Sequence, residues 1–313
     1  MIMPSTAPLR IATRKSQLAL WQAEHVAALL RRAHAGLAVE LVPMITQGDR
    51  IQDRSLAAIG GKGLFIRELE VALEERRADI AVHSMKDVPA ELPDGLMIAA
   101  VLKRADARDA LVSNAGVKRL DDLPRGARVG TSSLRRQAQL RALRPDLSIL
   151  ALRGNVDTRL RKLDAGDMDA IVLACAGLIR LGLESRITAR IDPELCLPAV
   201  SQGVIGIECR GGDAHTRSLL QALEDSPTRL MMDAERAFAA RLGGSCQSPI
   251  AGYAELDANQ ITLRGLVAEP DGSRLLRDSV SGSIENPAAL GRHLAERLLA
   301  AGAGHLLERL RSA

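Results

Sequence analysis

Residues 9–22, Leu9-Arg10-Ile11-Ala12-Thr13-Arg14-Lys15-Ser16-Gln17-Leu18-Ala19-Leu20-Trp21-Gln22, decide the fold. Leu9 to Ala12 is a short run suited to a buried strand, Thr13 to Ser16 is a polar loop, and apolar residues recur at helical spacing from Leu18 to Arg32. Strand, polar loop, helix is the grammar of an α/β protein. Downstream, Val39 to Pro43 predicts a strand, Gly60-Gly61-Lys62-Gly63 a mobile loop, and Leu64 to about Arg77 a helix. Ile80 to Val82 predicts a buried strand, closed by the loop His83 to Pro89. Ligand sites in open α/β sheets lie beyond the carboxyl ends of strands, where both Thr13–Ser16 and Ser84–Asp87 fall. A second unit of the same grammar begins near Asp109, with strands at Arg128–Gly130, Ser148–Leu152 and Ile171–Ala174 and helices from Leu134 and Val156. From about Thr228 the texture changes. A helix from Arg229 to Leu242 precedes alternating segments at Ile250–Leu256, Ile261–Ala268 and Arg274–Ser281, then a terminal helix near Pro287. These predict a small antiparallel sheet with helices on one face.

A chain of 313 residues is too long for one ordinary core, so two or three domains are expected. Hydrophobic content of 47% with 26% charged residues is that of a soluble globular protein. Met1 to Arg10 holds no apolar core of signal-peptide length and no run approaches membrane-spanning length, so a cytoplasmic protein without a membrane partner is expected. The cysteines at 175, 196, 209 and 246 show no C-x-x-C spacing, and the six histidines form no H-x-x-x-H pair. No metal site is expected, and no disulfide in a reducing compartment. Of 42 basic residues, 36 are arginine, a count that genome composition largely explains. Arginine nonetheless grips carboxylates and phosphates with a rigid fork, so clusters in loops point to an anionic ligand. Nucleic acid is disfavoured as that ligand, because aromatic residues at 1% leave almost nothing for bases to stack on.

Thr131-Ser132-Ser133-Leu134-Arg135-Arg136 combines a helix start, hydroxyls and two guanidinium groups, a ready anion site or else an ordinary helix cap with solvated arginines. Arg153 sits in a strand-end loop and Arg159 a turn and a half into the next helix, so both can reach one cleft. Asp87 follows Lys86 in a loop closed by Pro89, either as a surface ion pair or as a carboxylate kept ionised by positive surroundings. Gly60–Gly63 fails the Walker pattern, since Leu64 stands where Ser or Thr is required, and suits a lid better. Phe65, one of two phenylalanines, is a stacking platform or a core residue. Cys246, in Gly243-Gly244-Ser245-Cys246-Gln247-Ser248-Pro249-Ile250, lies on a shaped loop with no histidine near it in sequence. A buried inert thiol is the ordinary fate of such a residue, and attachment of something anionic suits the loop better than protease-like catalysis.

Seven segments, taken in order, carry a resemblance. They are R-I-A-T-R-K-S-Q-L-A-L-W-Q-A (10–23), G-G-K-G-L-F (60–65), H-S-M-K-D-V-P (83–89), G-T-S-S-L-R-R-Q-A-Q-L (130–140), L-R-G-N-V-D-T-R-L (152–160), L-A-C-A-G-L-I-R-L-G (173–182) and E-R-A-F-A-A-R-L-G-G-S-C-Q-S-P-I (235–250). Over essentially its whole length the chain resembles the porphobilinogen deaminase, or hydroxymethylbilane synthase, family. Two departures are small: Cys175 replaces a small apolar residue, as a second oxidisable thiol, and Gln17 replaces a frequent proline.

The resemblance implies a transferase that adds four porphobilinogen units in turn to a dipyrromethane cofactor, each with loss of ammonia, and releases the linear tetrapyrrole by hydrolysis. It implies that Cys246 holds the cofactor through a thioether. Each ring carries an acetate and a propionate, so the growing chain needs many fixed cations. The resemblance places Lys86, Thr131, Ser132, Ser133, Arg135, Arg136 and Phe65 at the cofactor and Arg14, Ser16, Lys62, Arg153, Arg159 and Arg180 at the substrate. Asp87 is the expected catalytic residue, a negative charge facing a developing cation, with proton transfer open to it. The implied fold is two periplasmic-binding-protein-like α/β domains, hinged around an active cleft, plus a small α+β third domain. Their expected ranges are 1–103 with 200–221, 108–197 and 226–313, and a monomer is implied. The alternative is a non-enzymatic solute-binding or effector-sensing protein for an anionic ligand, which explains neither the third domain nor the Cys246 loop.

Overall fold

The computed structural model describes residues 7–50, 63, 66–114, 116–244 and 248–312. The chain divides into two compact units, one of Met1–Arg104 with Val204–Arg229, the other of Ala105–Gly203 with Leu230–Ala313. Two mixed α/β sheets and a three-stranded antiparallel sheet build them, the fold class the sequence implies.

In the first unit, strands β1 (Leu9–Arg14), β2 (Val39–Met44) and β3 (Ile80–Ser84) are parallel, in the order β2-β1-β3. Ile11 lies between Leu41 and Ile80 in register, so each strand's apolar positions share one core. Helix α1 (Gln17–Ala33) covers them through Ala23, Val26, Ala27 and Leu30, one buried stripe at helical spacing. Helix α2 (Arg67–Glu74) packs Leu69, Ala72 and Leu73 against Ala12 and Ala81. Strand β3 reads Ile-Ala-Val-His-Ser and is buried up to Ser84, as a strand covered on both faces must be. Strand β10 (Ile205–Arg210) returns from far along the chain and enters antiparallel between β3 and β4 (Leu96–Val101).

The second unit repeats this strand pattern. Strands β6 (Arg128–Gly130), β7 (Ser148–Leu150) and β8 (Ala170–Ala174) are parallel, and β5 (Asp109–Ser113) and β9 (Ala189–Ile191) complete the sheet in the order β7-β6-β8-β5-β9. Strand β5 runs antiparallel to both of its neighbours. Helices α3 (Leu134–Leu143), α4 (Val156–Asp164) and α5 (Cys175–Arg180) each follow a parallel strand. Helix α6 (Ala214–Gln221) belongs to the first unit, and α7 (Ser226–Arg241) leads into the antiparallel sheet of β11 (Ile250–Asp257), β12 (Gln260–Ala268) and β13 (Leu275–Ser283). Helices α8 (Pro287–Ala300) and α9 (Ala303–Ser312) complete it.

Phe238 of α7, fully buried, organises this last sheet. Gly252 and Gly265 are cross-strand partners, and a Cβ on Gly265 would stand 2.7 Å from the Phe238 ring. Gly291 lets α8 touch α7 directly: a Cβ there would meet the carbonyl oxygen of Ala234 at 2.1 Å. Sequence reading stops β1 at Ala12 and β3 at Val82, whereas the strands run on through Arg14 and Ser84. Parallel pairing with β2 holds Thr13 and Arg14 extended, against Pro43 and Met44.

Because the Gly291 contact is with backbone, no side-chain rotation relieves it. Gly291→Ala should therefore cost about 2–3 kcal/mol, the upper end for overpacking, in a urea unfolding curve. A loss below half of that would show that the two helices separate freely.

Candidate functional site

In each unit the parallel strands end at one edge, and the candidate residues follow those ends. In the first unit, Arg14 closes β1 and is half-buried. Ser16 follows, and its Oγ accepts the Ala19 N–H at 3.3 Å, so this hydroxyl caps α1. Thr13 is buried and donates its hydroxyl to the Ala19 carbonyl at 3.0 Å.

At the end of β3 a single 3-10 turn, Met85–Asp87, carries the candidate catalytic pair. Met85 is buried and anchors the turn, its N–H donating to the Val204 carbonyl at 3.0 Å. Its sulfur occupies the space a side chain on Gly206 of β10 would need, since a Cβ there would stand 2.0 Å from Met85 Sδ. Lys86 and Asp87 are half-buried, and the Asp87 carboxylate has no hydrogen-bond partner among the described residues.

Beneath the turn lies a buried set that sequence reading misses. His83 Nε2 and Glu208 Oε2 of β10 are 2.7 Å apart. Glu70 of α2 is buried beside them, and burial followed by the Glu208 charge pushes its carboxyl above the usual range. Gln22 and Ser84 exchange hydrogen bonds alongside. No single sequence motif announces this set, because its members come from α1, α2, β3 and β10.

In the second unit, β6 ends in Thr131-Ser132-Ser133. Thr131 is buried and its Oγ1 accepts the Ser133 N–H at 3.2 Å. Ser132 Oγ is fixed to the backbone of Leu152, donating to its carbonyl and accepting its N–H, both at 3.0 Å. Ser133 stands at the N-cap of α3 without making a side-chain cap bond, and the first turn holds no acidic residue. An uncapped helix start with free N–H groups favours an anion. After β7, Arg153 is half-buried and forms no ion pair with the described residues. Arg159 donates Nε to the Gly154 carbonyl at 2.8 Å, and Gly154 takes a positive φ of 107°. At the end of α5, Arg180 donates Nη2 to the Gly203 carbonyl at 2.7 Å. Burial, with no carboxylate to offset it, pushes the Arg180 guanidinium down to about 10.

Arg135 and Arg136 lie on the expected helix but are not solvated. Both are buried, 3% and 5% exposed, and both engage the fully buried Asp109 of β5. The Asp109 carboxylate is held far below the usual range, burial opposing and the two guanidinium charges prevailing. Helix α3 turns its polar residues inward here, because β5 begins with an aspartate under them. Each arginine retains a buried Nε with no acceptor among the described residues.

Lys62, Phe65 and Cys246 lie outside the described residues. The other thiols, Cys175, Cys196 and Cys209, are fully buried. Burial pushes Cys175 and Cys196 up to about 12 and Cys209 to about 11, which removes Cys175 as an oxidisable thiol. Among the described residues, no group of three potential ligands could hold a metal, and no helix is long and apolar enough to cross a membrane.

Two family models match the chain. That described as porphobilinogen deaminase, dipyromethane cofactor binding domain, covers residues 9–218, and that described as porphobilinogen deaminase, C-terminal domain, covers residues 230–300. Among solved structures, the chain is similar to the periplasmic VFT2 domain of BvgS from Bordetella pertussis, at 16% identity over 69% of this chain and 86% of that one, with a TM-score of 0.41. It is also similar to a TRAP periplasmic solute binding protein from Desulfovibrio salexigens, at 14% identity over 72% and 73% of the two chains, with a TM-score of 0.42.

The seat beneath the Lys86–Asp87 turn is open to a double-mutant cycle. Gly206→Ala should destabilise by about 1–3 kcal/mol through the Met85 side chain. In a Met85→Ala background the same change should cost at least about 1 kcal/mol less. Additive costs would show that Met85 does not seat the turn against Gly206.

Proposed function

The chain belongs to the porphobilinogen deaminase family, and on that premise we propose how its own residues carry the reaction. The activity is that of a transferase: four porphobilinogen molecules condense in turn, each losing ammonia, and the linear tetrapyrrole leaves by hydrolysis. Dipyrromethane is the family's cofactor, and when bound it supplies the free pyrrole α-carbon at which the product grows.

One observation carries the assignment of residues, the cationic edge of the second unit. Its parallel strands end at an uncapped helix start, at two buried guanidinium N–H groups without an acceptor among the described residues, and at a desolvated Arg180 without a carboxylate. Such an edge fits a ligand bearing several carboxylates, because each contact supplies an acceptor or a charge that the edge lacks. In our reading the N–H groups of α3, with Ser133, Arg135, Arg136 and Lys86, hold cofactor carboxylates. Thr131 and Ser132 shape that helix start through their backbone bonds. Arg14, Arg153, Arg159 and Arg180 hold the carboxylates of incoming porphobilinogen, with Ser16 fixing α1 beside Arg14.

Asp87 takes the catalytic role. Ammonia leaves the substrate more easily as positive charge spreads to its pyrrole nitrogen, and a half-buried carboxylate facing that nitrogen stabilises the charge. The same carboxylate can take the proton released when the new carbon–carbon bond forms. Cys246 is the attachment point, its sulfur bonded as a thioether. Supporting this choice, the other three thiols are buried and protonated at neutral pH. Lys62 and Phe65 keep their roles at the carboxylates and at the cofactor ring as part of the proposal. The reading takes the protein as a cytoplasmic monomer acting on a small molecule, with neither nucleic acid nor membrane as partner.

Asp87→Asn should leave the unfolding curve and the attached mass unchanged while turnover falls at least about a hundredfold. Activity within tenfold of the parent would remove Asp87 from the chemistry. Intact mass of the purified protein should exceed the chain mass by two deaminated porphobilinogen units, and Cys246→Ser should lack that increment. The same increment in Cys246→Ser would move the attachment elsewhere. Thiol titration should find no fast-reacting group in the native protein and three after denaturation; a fourth would mean that Cys246 is free.

A further inference from the structure

Asp109 stands at the first position of β5, fully buried, and has no role in the reaction described above. Its carboxylate is surrounded by donors from α3 and from the segment Cys196–Gln202. Arg135 donates Nη1 to Oδ2 at 2.7 Å and Nη2 to Oδ1 at 3.2 Å. Arg136 donates Nη2 to Oδ1 at 2.7 Å, and Gln202 donates Nε2 to the same oxygen at 2.9 Å. The Cys196 thiol reaches Oδ2 at 3.5 Å.

The far ends of the guanidinium groups are held as well. Arg135 Nη1 also donates to the Leu197 carbonyl at 2.8 Å, and Arg136 Nη1 donates to the Val172 carbonyl at 2.9 Å. Each planar group is therefore fixed at more than one point, and the nitrogen on each with no acceptor among the described residues is Nε. Two cations and one anion leave this buried set a single net positive charge.

We infer that Asp109 is a positioning residue for cofactor loading: it fixes the direction of Arg135 and Arg136 and sets their net charge before a ligand carboxylate arrives. The inference rests on the reading, proposed above, that these arginines hold cofactor carboxylates. Without Asp109, two guanidinium groups at adjacent positions of one helix repel each other and turn their forked ends toward whatever anion enters. With it, the forked ends are occupied and both guanidinium groups keep one fixed direction. A preset array loses little orientational freedom on binding, which makes loading fast.

The test follows loading rather than turnover. Full-length chain is purified from a host that makes no porphobilinogen, then incubated with porphobilinogen while intact mass is followed over time. The parent, Asp109→Asn and Asp109→Glu are compared, with urea unfolding measured in parallel so that rates refer to folded molecules. The parent should gain the mass of two deaminated units. Asp109→Asn should unfold at lower urea and load at least tenfold more slowly. Asp109→Glu keeps the charge but displaces it by one methylene, so it should recover most of the unfolding midpoint and still load at least tenfold more slowly. Parental loading by either folded variant overturns the inference, because charge or bulk alone would then suffice. Failure of both variants to fold also overturns it, leaving Asp109 to the core. A parent that gains no mass sinks the attachment reading instead, and this inference with it.

Discussion

A carboxylate shut away from water is tolerable only where opposite charge and hydrogen bonds replace the solvent, and Asp109 imposes that condition on the second unit. Meeting it draws α3 inward through Arg135 and Arg136 and draws in the segment Cys196–Gln202 that follows β9. A second buried carboxylate grips the same segment from the other side. Glu235 of α7 accepts the Ser201 N–H at 2.6 Å and the Ala254 N–H of β11 at 2.7 Å. Ser201 takes a φ of 60° there, a left-handed backbone that a serine adopts only under constraint. Gly252 of β11 adds a backbone bond to Pro198 at 3.1 Å. The α/β sheet and the antiparallel sheet of this unit are thus joined through one strap held between two buried acids.

The two α/β sheets share one strand pattern and present different groups at its end. Each has three adjacent parallel strands, then an antiparallel strand, then an edge strand. At the first sheet the edge presents Asp87, above a buried layer of Glu70, His83 and Glu208. At the second it presents a helix start and arginines. A reaction that creates positive charge on a polyanionic substrate needs both kinds of surface.

Much of this was legible in the sequence, for reasons that differ by element. Strand–loop–helix order placed Asp87 and the 131–136 segment beyond strand ends, and apolar spacing from Leu18 to Arg32 marked the helix that α1 forms. What escaped was set by partners far away in the chain. Strand β10 is short and ordinary in sequence, and its place between β3 and β4 follows from pairing that no local pattern encodes. Ser16, placed at the substrate by resemblance, also caps its own helix. Arg135 and Arg136 read as anion-site or solvated arginines at a helix start, because apolar spacing cannot reveal a helix whose buried face is polar; Asp109, their reason for being buried, lies 26 and 27 positions away. A lone aspartate opening an otherwise apolar run, Asp109-Ala110-Leu111-Val112, was the one available signal.

The burial of Cys175, Cys196 and Cys209 bears on a problem that the proposed attachment at Cys246 raises. A reactive carbon generated within reach of several sulfur atoms would mark them at random and yield a mixture of adducts. Three thiols sealed in cores and kept protonated are chemically silent, so regioselectivity needs no recognition of the right cysteine. Selectivity of that kind is enforced by the fold itself, and it would be lost as soon as modification preceded folding.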